Sequence, residues 1–220
     1  KKGLYAVIPI EARGLDSQID PYLIASKLAD DALIGYHTAL ALHGKTNSIV
    51  NRFYYSTKTR TKKNLEFQGN VFQAVSAPKS LKNKNIGTTT FNRLGVQLLV
   101  TTLERTFVDI LDRPYLCLSW EEICRAIDAI EYLNSQQVVE YTLLLSNKTT
   151  SAIVGFFMEM HQEKWLIPPE HLEMLKKLRP SKPVYLKRAL KGPQKLIPNW
   201  NLIVPEEILQ KRWEEPHENI

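Results

Sequence analysis

Val96-Gln97-Leu98-Leu99-Val100-Thr101-Thr102-Leu103-Glu104-Arg105-Thr106-Phe107-Val108-Asp109-Ile110-Leu111-Asp112-Arg113-Pro114 holds both kinds of regular structure in one short stretch. Val96 to Val100 is an apolar, β-prone run of strand length. Thr101-Thr102-Leu103-Glu104 then reads as a capping box, in which a threonine hydroxyl caps a helix and Glu104 reaches back to it. Leu103, Phe107, Ile110 and Leu111 recur on one face of that helix, and Asp112-Arg113-Pro114 stops it. A buried strand handed directly to an amphipathic helix predicts an α+β fold.

Downstream of this stretch the helical period dominates. Ser119-Trp120-Glu121-Glu122 is a second capping box, predicting a helix over Trp120 to Tyr132. Further helices are expected from Ser135 through Leu145, from Thr149 or Thr150 to about Gln162, and from Pro168-Pro169-Glu170 to Leu178. Two strands, Pro183 to Leu186 and Trp200 to Val204, follow. Upstream, Asp20-Pro21 predicts a capped helix over Tyr22 to Leu28. A second helix is expected from near Asp31, with Leu33, Ile34, Leu40 and Leu42 as its apolar positions and Gly44 at its end. The period then shortens to two. Arg52 to Thr57 is aromatic and β-prone, and Leu65-Glu66-Phe67 and Val71 to Val75 flank Gln68-Gly69-Asn70 as a glycine-turn hairpin. Lys79 to Thr90 reads as a loop or a ragged pair of strands. The expected architecture is a small mixed β-sheet with a basic hairpin region, flanked by several α-helices.

The 220 residues are 44% hydrophobic and 24% charged, enough for a real core and unlike a disordered chain. No apolar run approaches the roughly 18 residues that a membrane span needs. The basic start Lys1-Lys2 leads into a short strand-like run, so no secretory leader is expected. Cys117 and Cys124 fit neither a zinc knuckle nor a redox pair. They read as reduced thiols of a cytoplasmic protein.

The net charge of +6 is unevenly placed. Lys45, Arg52, Lys58, Arg60, Lys62, Lys63, Lys79, Lys82, Lys84 and Arg93 face a single acid, Glu66, between residues 45 and 93, for a net +9 there against −3 elsewhere. One-sided charge of this kind suits a polyanion or an acidic partner. Arg52, Tyr54, Ser56, Lys58, Arg60 and Lys62 share strand parity, which predicts a basic stripe along one side of a strand. Tyr54 and Tyr55 are placed either to stack on bases or to pack in the sheet.

Catalytic signals are thin. His37 and His43 are six apart, the wrong spacing for two ligands on one helix face, and His161 and His171 lie on separate helices. A metal-dependent nuclease would need converging carboxylates in the basic β-region, where Glu66 stands alone and Gln68 occupies the place expected for lysine. No cofactor or metal is expected. A non-catalytic binding protein is favoured over a nuclease-like DNA-processing enzyme.

Five ordered stretches together resemble the AbiEi family of antitoxins from type IV toxin–antitoxin systems. They are Gly3 to Pro9; Asp20 to Leu28 with Ile34 to Gly44; Val100 to Pro114; Gly155-Phe156-Phe157-Met158-Glu159; and Pro183 to Leu186 with Trp200 to Pro205. Thr102 stands where the family has proline. The resemblance implies that residues 1–9 are the remnant strand of an N-terminal winged helix-turn-helix. It implies an antitoxin core with the basic β-region over 10–115, and a helical region closing with two strands over 116–220 in the same domain. The implied functions are autorepression of an operon and neutralisation of a nucleotidyltransferase-like toxin, in the setting of abortive infection and phage defence. Promoter DNA and the toxin are the implied partners, with Arg52, Lys58, Arg60, Lys62, Lys63, Lys79, Lys82, Lys84 and Arg93 as the basic face that meets one or the other. Glu104, Arg105 and Asp109 match a family motif helix. Arg105 and Asp109, at i and i+4, are also spaced for an ion pair.

Overall fold

Strand-to-helix succession at Val96–Asp112 holds, and the chain divides there into two compact units, residues 1–102 and 103–220. The boundary therefore falls earlier than residue 115. The computed structural model describes residues 5, 18–46, 48–49, 51–58, 64–81, 86–117, 119–186 and 192–211. The expected strand at Gly3 to Pro9 lies outside the described residues, Tyr5 excepted.

The first unit carries helices α1 (Pro21–Lys27) and α2 (Tyr36–Leu42) on a six-stranded mixed sheet. Its strands are β1 (Leu33–Ile34), β2 (Arg52–Thr57), β3 (Leu65–Phe67), β4 (Asn70–Ser76), β5 (Thr88–Arg93) and β6 (Val96–Thr101), in the order β3-β4-β2-β1-β6-β5. Asp20 caps α1 by accepting from the Tyr22 N–H at 2.9 Å. The hairpin of β3 and β4 turns at Gln68-Gly69, both at positive φ, as a two-residue primed turn requires.

Leu33 and Ile34 do not belong to a helix. They form a two-residue strand in the sheet interior, antiparallel to β2 and parallel to β6. With only two residues in β1, the Tyr54 N–H of β2 donates to the Thr38 hydroxyl at 2.7 Å. Strand β5 is a second correction, since Thr88 to Arg93 pairs in full register with β6 through a Leu94-Gly95 turn, both at positive φ. β2 is buried on both sides. Phe53 and Tyr55 pack with Ile24 and Ala25 of α1, with Leu28 just after it and with Phe72, while Tyr54 meets Tyr36 edge-on at 6.3 Å.

The second unit is mostly helical: α3 (Leu103–Asp112), α4 (Trp120–Asp128), α5 (Ser135–Leu145), α6 (Lys148–Met160), α7 (Pro169–Lys176) and α8 (Glu206–Leu209). The Ser119 hydroxyl caps α4 by accepting from the Glu122 N–H, as its sequence signature predicts. Helix α3 begins at Leu103. Thr101 is the last residue of β6, opposite Thr88, and Glu104 Oε1 accepts from the Asn134 N–H. Strands β7 (Val184–Tyr185), β8 (Gln194–Ile197) and β9 (Leu202–Pro205) form a small sheet ordered β7-β9-β8. β8 adds to the two expected strands. Among the described residues no helix is long and apolar enough to cross a membrane.

Candidate functional site

The basic region belongs to the first unit. Arg52, at the start of β2, is exposed and donates from Nη1 to Gln73 Oε1 at 3.0 Å. Lys58, just past the other end of β2, is exposed, and its N–H donates to Asp31 Oδ2 at 2.7 Å. Six residues of strand separate these two cations by roughly 20 Å. Between them, Tyr54 and Ser56 are buried, so the expected stripe is interrupted where the sheet is covered. Tyr54 and Tyr55 are packing residues with no free ring face for a base. Arg93, on edge strand β5, pairs with Asp20 at 2.6 Å and lies 4.5 Å from the Tyr22 ring centre. It ties a helix cap to an edge strand. Arg60, Lys62, Lys63, Lys82 and Lys84 lie outside the described residues, as does the side chain of Lys79.

Glu66 is exposed on β3, opposite Val71. Among the described residues no group of three or more His, Cys, Asp or Glu is placed to hold a metal ion. Two histidines take structural posts. His43 Nε2 donates to the Thr101 carbonyl at 2.8 Å and its ring meets Phe91 edge-on, clipping the end of α2 to the sheet. In the second unit, buried His161 bonds the Phe157 carbonyl and Asp128 and stacks on Trp165 at 4.5 Å. Burial pushes the Cys117 and Cys124 thiols up to about 12, so neither is a nucleophile at neutral pH.

The motif helix forms a polar core inside the second unit. Arg105 and Asp109 are almost wholly buried and pair at 3.3 Å, as their spacing predicts. Tyr141 of α5 donates its hydroxyl to Asp109 Oδ1 at 2.6 Å, and the Arg105 guanidinium lies 5.3 Å from its ring centre. Desolvation pushes the Asp109 carboxyl up, opposed by Arg105 and the Tyr141 hydroxyl. One turn on, Asp112 Oδ1 accepts from the Thr150 hydroxyl at 2.6 Å and from Asn147 Nδ2 at 3.2 Å. The sequence periodicity left Tyr141 and Thr150 unassigned; both sit more than thirty positions from the acids they serve.

Two further stretches of the motif set meet each other. The Trp200 indole lies against the backbone of Gly155, where an added Cβ would fall 2.1 Å from the ring. Its Nε1 donates to Glu159 Oε2 at 2.7 Å, and Asn199 Nδ2 donates to Glu159 Oε1 at 3.2 Å. Gly155 is therefore obligatory for a reason of space, and Glu159 is the acceptor that makes a buried tryptophan N–H tolerable.

No family model matches the chain, and no curated protein matches it. Among solved structures it is similar to the crystal structure of the Rv2827c protein from Mycobacterium tuberculosis, with a TM-score of 0.56 and 16% identity. The match covers 88% of this chain and 71% of that one. At this identity the likeness concerns the fold.

Proposed function

We propose that the chain is the antitoxin and regulator domain of a toxin–antitoxin pair, a cytoplasmic binding protein that neutralises a nucleotidyltransferase-like toxin and supports autorepression. The reading rests on the ordered motif stretches that resemble the AbiEi family. The observation that carries it is that the stretches 155–159 and 200–205 meet through Trp200, Gly155 and Glu159. Motifs that contact one another are expected of a set retained for one fold, and chance matches scattered along a chain have no reason to do so. The motif helix contributes a structural core here, so Glu104, Arg105 and Asp109 act by holding the second unit together.

Arg52 and Lys58 are exposed cations of the basic region and are assigned to a polyanion or acidic surface. The test is co-expression with the protein encoded by the adjacent reading frame. A nucleotidyltransferase that arrests growth alone and permits growth beside this chain supports the reading; arrest that persists beside a well-expressed, folded chain overturns it. For autorepression, the intact protein is titrated on its own promoter with Lys58, Arg60, Lys62 and Lys63 changed to alanine. Affinity and salt slope that stay unchanged remove the basic region from DNA contact.

A further inference from the structure

We infer that the chain pairs with a second copy of itself along the edge of β5, joining the two six-stranded sheets antiparallel about a two-fold axis. Strands β5 and β6 pair in full register from Thr88 opposite Thr101 to Arg93 opposite Val96, with no bulge. The Thr102 N–H donates to the Gly87 carbonyl at 2.9 Å, which fixes the alternation of the ladder. Thr89, Phe91 and Arg93 turn their backbone groups toward β6. Thr90 and Asn92, both exposed, turn theirs toward the outer edge of the sheet.

Edge strands ordinarily carry features that block such pairing: short length, charge or proline. Among the described strands the other three edges have them. β3 is three residues with exposed Glu66, β7 is two residues, and β8 is four residues with exposed Lys195. β5 is six residues long, and Thr88 to Asn92 contains neither a charge nor a proline. Its one cation, Arg93, stands at the end of the strand and is already paired with Asp20.

Charge and register name the occupant. An acidic strand or a nucleic acid finds along β5 only an arginine that Asp20 already neutralises. A second β5 is uncharged over the same length and alternates in the same phase. With the two-fold axis at Phe91, Thr90 of each copy lies opposite Asn92 of the other, and each pair exchanges two N–H···O=C bonds. Phe91 meets its symmetry mate as a non-hydrogen-bonded pair, where side chains approach most closely and aromatic pairs are favourable. Arg93 lies opposite Thr89, and the two arginines stay about 14 Å apart along the strands, so no like charges are opposed. Two six-residue edges stay below the roughly 1,200 Å² of a standard interface, so the association is weak and depends on concentration. This inference goes beyond the antitoxin reading and does not depend on it, because its assay contains neither toxin nor promoter.

The experiment is sedimentation equilibrium of the full chain from about 10 µM to about 1 mM, paired with amide hydrogen exchange at both ends of that range. A monomer–dimer equilibrium should appear, and the Thr90 and Asn92 amides should exchange more slowly at the higher concentration. Thr90→Pro removes an N–H that lies outside the β5–β6 ladder, so the chain should keep its fold while dimerisation weakens at least about tenfold. Thr90→Lys, a charge of the kind that guards natural edges, gives an independent reading should the proline variant fail to fold, and should weaken dimerisation several-fold. Glu66→Gln, on the opposite edge of the same sheet, should change nothing. A chain that stays monomeric at about 1 mM would overturn the inference. So would a dimer that folded Thr90→Pro or Thr90→Lys leaves intact, or one in which the Thr90 and Asn92 amides gain no protection.

Discussion

Asp31 in the first unit and Asp109 in the second each accept a short hydrogen bond from a hydroxyl, Thr57 at 2.5 Å and Tyr141 at 2.6 Å. Their carboxyls nevertheless move in opposite directions. Burial pushes both up, but at partly exposed Asp31 the bonds from the Thr57 hydroxyl and the Lys58 N–H outweigh it, and the result is a lowered value. At Asp109, enclosed on all sides, burial outweighs Arg105 and Tyr141 together, and the result is a raised one. Similar local contacts thus have different consequences according to how much water remains. The first unit keeps its charges near the surface, as with Asp20 and Arg93, whereas the second encloses an ion pair in its core.

The sharpest test of this contrast removes one member of the enclosed pair. Asp109→Ala strands the Arg105 guanidinium in the core and should cost about 3–5 kcal/mol of stability, read by denaturant unfolding. Replacing both, with Arg105→Met and Asp109→Leu, should recover most of that loss. Should the single change cost under about 1 kcal/mol, the core would be wetter than its burial indicates. Gly155→Ala comes next. It forces a Cβ into the Trp200 ring, and an expected loss of about 1–3 kcal/mol should appear with altered tryptophan fluorescence. In the first unit, Arg93→Ala breaks a pair whose arginine side chain is 40% exposed, and the loss should stay below about 1 kcal/mol.

The smallest effect is one of pH. Asp31, with its folded value lowered, contributes stability that is fully present above the ordinary carboxylate range and is lost as pH falls below about 4. Asp109, with its value raised, has the opposite sign: its contribution is greatest in acid and declines as pH rises through the raised value. Asp31→Asn should therefore reduce the acid-side fall in melting temperature, and Asp109→Asn should not. Identical acid limbs for the two variants would dissolve the distinction between the units.

Much of this architecture was readable in advance because local chemistry signals it. Ser119 and Asp20 cap the helices they precede, and Gln68-Gly69 makes its turn. The elements that escaped are those whose reason is non-local. Leu33-Ile34 is too short to show a period and is a strand only because β2 and β6 lie on either side of it. Thr88 to Arg93 and Gln194 to Ile197 are polar edge strands, lacking the apolar alternation of a half-buried one. Site residues divide the same way. The spacing of Arg105 and Asp109 announces their pair, but no spacing announces Tyr141. The basic stripe read from strand parity assumed an open sheet face, and the burial of Tyr54 and Ser56 closes it.

The indole of Trp200 has a practical meaning for anyone shortening this polypeptide. Because it rests on the Gly155 backbone and is anchored by Glu159, the turn between β8 and β9 doubles as a lid for the middle of α6. Cutting after α7, a natural-looking stopping point, would uncover that helix and leave a ring-sized void over Gly155. A trimmed version that is to keep this packing must extend at least past Trp200.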